Sequence, residues 1–491
     1  MIYKKIVSTL VLAGVVASPT IAFANDSTEL EELRALVQEL DQKVKVLARK
    51  GEIAEEDATA AKKTTPVVKA SEEGFGFQSA NGDFKIKLRG LLQVDERNFS
   101  SVNGLANDGK NISGFDLRRI RPIIEGTLYD IYDFRFTPEF GESKSANATS
   151  TSGIVDAYVD ARFNPWFQVR AGKFKPYVGL ERLQSASCIK FIERSYVSNN
   201  ILPNRDTGAA IHGDVLDGKL NYSVGIYNGV VDGGDDNTSQ DTNQDKDFAV
   251  RVFATPFKDS DNALAGLGFG IAATHDDFRG STSVTGLPTG YKTPGQESNF
   301  FAYTAGTVYS NGARDRVSPQ AYYYYGPFGL IAEYARVSQD VTSTGAAGKS
   351  ATLDNDAWQI SVSYLLTGED ASFGKVKPKN PFNSNGGGWG AWELVARYQE
   401  NNIDSGAFST GSTAAATRFA DPRINARSAK SWAAGVNWYL SQNVKLALDV
   451  EDTSFDGGGN VTAAGAATGS FTNIANRPDE KTLFTRLQLS Y

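Results

Sequence analysis

Cysteine and histidine are almost missing from this chain of 491 residues. Cys188 stands alone, so no disulfide forms within the chain, and His212 and His275 are its only histidines. A zinc site of His and Cys ligands is thereby excluded in practice, and a His-based catalytic site has two starting points only. Long apolar runs are missing too. Beyond the first twenty-odd positions nothing approaches the roughly 20 apolar residues that a spanning helix needs, which excludes a helical membrane protein. Positive charge is not in excess: Lys and Arg number 50 against 57 Asp and Glu, for a formal charge of −7. Such a chain is a poor nucleic-acid binder, although a local basic patch can still hold small anions. What it has is 20 Tyr, 28 Phe, 48 Gly and many Asn- and Asp-rich turns, a composition that fits many strands rather than a helical or mixed enzyme core.

At the N-terminus, Lys4 and Lys5 precede an apolar stretch that closes on Ala22-Phe23-Ala24, the small-x-small pattern of a secretory cleavage site. Residues 1–24 therefore read as a signal peptide, and its removal makes the mature chain two charges more negative. Residues 25–50 follow as a periplasmic coiled coil: Leu30, Leu33, Val37, Leu40, Val44 and Leu47 alternate spacings of three and four over three heptads, flanked by charge. A seam this short is marginal as a lone helix, so it implies association with its own copies or another helix. Residues 51–74, rich in Ala, Lys, Glu and Thr with Pro66, read as a linker.

From residue 75 to 491 the period changes to two. Phe84, Ile86, Leu88, Leu92 and Val94 share one face, and Lys85, Lys87, Arg89, Gln93 and Asp95 the other. The same alternation sets Trp392, Leu394, Ala396 and Tyr398 against Glu393, Arg397 and Gln399, and Val444, Leu446, Leu448 and Val450 against Lys445, Asp449 and Glu451. Strands apolar on one face and charged on the other are the signature of an outer-membrane barrel. Short links near residues 130, 164, 217, 326 and 441 alternate with eight long polar ones, which gives sixteen antiparallel strands provided that 367–389 is an unusually long link on the short side. The last strand ends on Tyr491, an aromatic terminal residue.

The polar faces contribute a mixed wall. Lys85, Lys87, Arg89, Arg119, Arg121, Arg135, Arg170 and Arg251, with Arg162 and Arg486, are answered by Glu139, Asp156, Asp160, Asp449 and Glu451. The third long link is unusual. Between AGKF and DTGAAIHGDV it carries Tyr177, Leu180, Leu183, Ile189, Phe191, Ile192 and Tyr196, apolar groups that need something to pack against, so it is expected to fold inward and narrow the pore. Its cations Lys175, Arg182, Lys190, Arg194 and Arg205 outnumber Glu181 and Glu193, an excess that would concentrate anions at a constriction. Lys190 and Arg194, four apart, are placed to share a helical face.

The stretches FDLRRIRPIIEGTLYDIYDFRFTPEF (115–140) and VDAYVDARFNPWFQVRAGKFKPYVGLERLQSASCIKFIERS (155–195), then YLLTGE (364–369), GAWELVARY (390–398) and VNWYLSQNVKLALDV (436–450), resemble the phosphate-selective porin O/P family. The resemblance implies a sixteen-stranded, homotrimeric, anion-selective channel in the outer membrane of a Gram-negative bacterium, with the third outer loop inside the barrel. It also implies lumen arginines from LRRIR (117–121) and a constriction at KFIERS (190–195), with phosphate or similar small anions as permeants and no cofactor.

Two other classes of function fit less of the sequence. An outer-membrane enzyme would need His212 with Asp214, on one strand face but without a placed serine. The other is a general, weakly selective porin, or a structural barrel that tethers the outer membrane through its coiled coil. Cys188, between apolar neighbours, reads as a packing residue.

Overall fold

The computed structural model describes residues 27–99, 113–141, 153–236, 244–296, 298–344, 349–408, 418–462 and 466–491. The signal-peptide reading lies outside them. Two compact units divide between Thr65 and Pro66.

The first unit is one helix, α1 (Ser27–Thr64), of 38 residues. It runs through much of the stretch read as a linker: Ala, Lys and Glu are good helix formers, and Pro66 marks where the pattern stops. Pairs at i, i+4 such as Glu39 with Lys43 at 2.8 Å decorate it. All six seam residues, Leu30, Leu33, Val37, Leu40, Val44 and Leu47, are more than half exposed.

The second unit opens with a hairpin, β1 (Val67–Ser71) and β2 (Gly74–Gln78), where the linker reading again gives way. Then come β3 (Phe84–Phe99), β4 (Gly114–Leu128), β5 (Tyr132–Glu139), β6 (Gly153–Asn164), β7 (Phe167–Phe174), β8 (Asp206–Val215), β9 (Leu220–Tyr227), β10 (Asp247–Ala254) and β11 (Leu267–Arg279). A small ribbon, β12 (Tyr291–Lys292) and β13 (Asn299–Phe301), precedes β14 (Val308–Tyr325), β15 (Phe328–Ser343), β16 (Lys349–Leu365), β17 (Ala391–Asn402), β18 (Ala426–Tyr439), β19 (Val444–Gly457) and β20 (Glu480–Ser490).

Sixteen strands, β3 to β11 and β14 to β20, pair antiparallel with their sequence neighbours, and β20 returns to β3 from Thr482↔Phe99 to Ser490↔Leu91. Closure removes the open edges that a sheet would otherwise present to lipid. Where β20 ends, β2 takes over the same edge of β3 from Phe75↔Leu88 to Gln78↔Lys85. The turns near 130 and 217 are tight because Tyr129, Asp130, Leu216 and Asp217 adopt left-handed φ of 53° to 57°, which follows the twist of the strands. Residues 366–390 do form a long link on the short side, and 255–266 is a further short-side link absent from the sequence reading.

Side-chain direction follows the alternation. Leu92, Ile124, Phe136, Leu394, Leu448 and Leu487 point outward and are exposed, while Gln93, Asp95, Glu393, Gln399 and Arg486 point inward and are buried. Tyr129, Trp166, Tyr325 and Trp389 stand exposed at the short-link rim, as an interfacial aromatic girdle does. The interior is less uniformly polar than the strand faces suggest. Tyr196, Ile201, Tyr291, Phe300, Phe301, Phe408 and Phe419, all from long links, pack with Phe174, Phe455 and alanines of the inner wall into an apolar core.

Candidate functional site

The third long link, residues 175–205, makes one helical turn, α2 (Leu180–Leu183), and one π-helical turn at Val197–Ile201. Between them the chain has no helix, so Lys190 and Arg194 do not share a helical face; this corrects the expectation from their spacing. Strand side chains hold the link by its backbone. Glu333 of β15 accepts from Leu180 N–H at 2.6 Å, Asp449 of β19 from Ile192 N–H at 2.6 Å, and Gln399 of β17 from Tyr196 N–H at 2.9 Å. Arg486 of β20 donates to the Ile192 carbonyl at 2.7 Å. The segment that leaves β7 is thus fastened to the inner faces of strands β15 to β20.

Ion pairs complete the attachment. Glu193 takes Arg118 at 2.6 Å and Arg97 at 3.0 Å, and Arg486 meets Asp95 at 2.6 Å. Lys190 reaches Glu393 at 2.7 Å, so this link cation is neutralised by the wall rather than offered to a permeant. Buried pairs of this kind fix geometry, since leaving either partner alone costs heavily.

Five inward or link cations are placed differently. Arg119 donates to Gln93 at 2.6 Å, Lys175 to the Gln184 carbonyl at 2.9 Å, and Arg194 to the Gln184 carbonyl at 2.8 Å. Arg182 donates to Asn204 at 2.8 Å, and Arg251 to Gln320 at 3.0 Å. Among the described residues none of the five has a carboxylate within the 4.0 Å of an ion pair. The partners of these side chains are all neutral. Burial, and then Arg182, Arg205 and Arg121 close by, pull the Arg194 guanidinium down to about 9, with Glu181 opposing; it stays charged at neutral pH. Burial, with Arg194, Arg205 and Arg182, also holds Lys175 well below the usual lysine range.

These groups line the first two of three cavities that follow one another. The first, about 470 Å³, lies among the long links and is bounded by Arg118, Arg119, Lys173, Arg182 and Arg194, with Glu139, Asp232 and Asp235 as its acids. The second, about 610 Å³, shares only Arg121 and Arg205 with the first. The third, about 540 Å³, reaches the β1–β2 hairpin and shares Arg135, Tyr158 and Arg170 with the second. A row of cations from β4, β5, β7 and the third link therefore runs from the long-link end to the short-link end, and Arg121 and Arg205 stand where the first two cavities meet. Arg121 is matched by Glu139 at 2.6 Å and Arg205 by Asp156 at 3.0 Å.

The remaining wall residues are distributed along this row. Lys85 meets Asp130 at 2.5 Å, Lys87 meets Glu73 at 2.8 Å and Arg89 meets Glu125 at 3.0 Å, all toward the short-link rim. Arg135 sits 3.6 Å from both Glu125 and Asp156, and Arg170 pairs with Asp160. His212 bonds Asp160 at 3.0 Å and packs on Tyr177; Asp214, its partner in the sequence reading, takes Asn221 instead. Arg118 is the inward cation that period-two reasoning places outside. The register of β3 and β4 shifts between Gln93 and Asp95, and this bulge turns Arg118 and Arg119 inward together. Two adjacent charges in an alternating strand were the available signal.

The description of the phosphate-selective porin O and P family matches residues 84–462. Porin O of Pseudomonas aeruginosa is 24% identical over 404 residues, which covers 77% of this chain and 85% of that one. A protein of Caulobacter vibrioides with no assigned function is 25% identical over 271 residues, 47% of this chain and 52% of its own. Among solved structures, the outer membrane channel DcaP of Acinetobacter baumannii superposes with a TM-score of 0.51 at 10% identity, over 85% of this chain and 99% of that one. That likeness supports the barrel fold. The match over most of the barrel, with the closed sixteen-stranded architecture and the row of cavities through it, makes this an outer-membrane porin channel of a Gram-negative bacterium, and the chain belongs to the phosphate-selective porin O and P family.

Proposed function

We propose that the channel passes small anions by passive diffusion, inorganic phosphate among them, and that its selectivity resides in the cations of the third link and the β4 wall. The observation that carries this is the set of five cations, Arg119, Lys175, Arg182, Arg194 and Arg251, whose partners are all neutral and which lie along the cavities. Uncompensated positive charge in a narrow, partly dry passage raises the local anion concentration, and guanidinium donors replace part of an oxyanion's hydration shell. Lys85, Lys87, Arg89, Arg121, Arg135, Arg170 and Arg205, each with a carboxylate at hand, shape the path and contribute less net charge. Transport on this reading requires no cofactor and no catalysis.

The exposed seam of α1 supports assembly with other copies of this chain, and we infer a homotrimer exported by removal of residues 1–24. Phosphate added to the channel in a planar bilayer should reduce the chloride current, and Arg182→Gln with Arg194→Gln should weaken that reduction several-fold. A chloride current indifferent to phosphate, in a channel that conducts chloride well, would remove phosphate from the reading.

A further inference from the structure

We propose that the middle cavity is a binding station for organic anions with a flat apolar body, aromatic monocarboxylates being the class it fits. The proposal rests on the anion reading above and narrows it. The first cavity has no aromatic ring among its lining residues, whereas the second has six. They fall into two groups. Phe174 lies 6.0 Å from Tyr158 and 6.2 Å from Tyr177, and Tyr322 lies 5.1 Å from Phe253 and 5.8 Å from Phe373. Each group carries a guanidinium on a ring face: Arg170 at 4.3 Å from the Tyr158 centroid, Arg251 at 4.6 Å from that of Phe253.

Charge and rings divide the work. Arg170 is matched by Asp160, but among the described residues Arg251 donates to Gln320 and Asn221 alone, and Lys175 to a backbone carbonyl alone. These two are the cations of this cavity without a carboxylate partner, and they are free to take one from a solute. An inorganic anion uses them and gains nothing from the rings. A carboxylate on a planar apolar body takes one of these cations at one end and lays its ring at the other, on Tyr322 beside Arg251 or on Tyr177 beside Lys175. A cavity of about 610 Å³ with aromatic walls and a few cationic donors has the size and character of a small-ligand site.

Benzoate and acetate carry the same single carboxylate and differ in the ring, so together they isolate its contribution. In the full-length protein in a planar bilayer, benzoate should halve the potassium chloride current at about one-tenth the concentration that acetate requires. Tyr177→Ala and Tyr322→Ala should each move the benzoate value toward that of acetate, and Arg251→Gln should weaken both anions. Equal half-blocking concentrations in the unaltered channel would overturn the station, as would a benzoate advantage that persists undiminished in both tyrosine variants. Should a variant fail to insert, the comparison in the unaltered channel still decides. The reversal potential of the same channels separates this proposal from the one beneath it: equal block in an anion-selective channel removes the station alone, whereas cation selectivity removes the anion reading.

Discussion

Among the inward cations, what each side chain touches decides what it can do. Lys190, Arg97, Arg118, Arg397 and Arg486 each meet a buried carboxylate and pin the third link to the wall. Removing Lys190 would leave Glu393 charged and dry. Lys190→Ala is therefore expected to cost about 3–5 kcal/mol of stability, read by urea unfolding in lipid or detergent, with little change in charge selectivity. Lys190→Met combined with Glu393→Gln should recover most of that loss. Lys175 behaves in the opposite way. Its partner is a carbonyl, and its proton is held less tightly than an ordinary lysine's, so as pH rises it loses its charge before an unperturbed lysine does. Anion selectivity should then fall with rising pH below the usual lysine range, and Lys175→Arg should abolish that decline because the guanidinium stays charged. A selectivity that holds constant over this range in the unaltered channel would show that Lys175 contributes nothing to it.

At the scale of elements, strands were the part most open to reading from sequence. Each side chain two residues on returns to the same face, and lipid outside with water inside enforces the contrast along β3, β17 and β19. Three things escaped. The bulge in β4 breaks the period at Arg118-Arg119, so one inward arginine was missed. The long links other than the third looked polar, yet Phe300, Phe301, Phe408 and Phe419 from the fifth and seventh fill part of the interior, because a polar composition conceals a few well-placed rings. And the spacing of Lys190 and Arg194 suggested a helix where strand side chains take the backbone groups instead, Ile192 N–H among them. The end of α1 was obscured for another reason: Ala-, Lys- and Glu-rich sequence serves equally as helix and as linker. Its seam exposes leucine and valine along one stripe, at 53% to 67% of their full area. A peptide of residues 27–64 should gain helicity and mass with concentration, as seen by circular dichroism and sedimentation; a monomeric coil at high concentration would remove the seam as an assembly element.

For the molecule as a whole, the few cysteines and histidines and the negative total charge cease to be puzzling. The acidic residues are spent on matched pairs and on links, so the sign of the total says little about the sign along the passage. One side of the interior, against β15 to β20, is closed by the third link and its ion pairs. The other, against β4 to β10, is left open as three successive cavities with cations in excess. The central claim is that this local excess, and not the net charge of −7, sets which ions pass. The most direct measurement is the reversal potential of the full-length channel in a planar bilayer between two concentrations of potassium chloride at neutral pH. The account predicts a potential of the sign given by chloride as the more permeant ion, shrinking toward zero in Arg182→Gln/Arg194→Gln; a potential of the opposite sign, with potassium the more permeant, would contradict it.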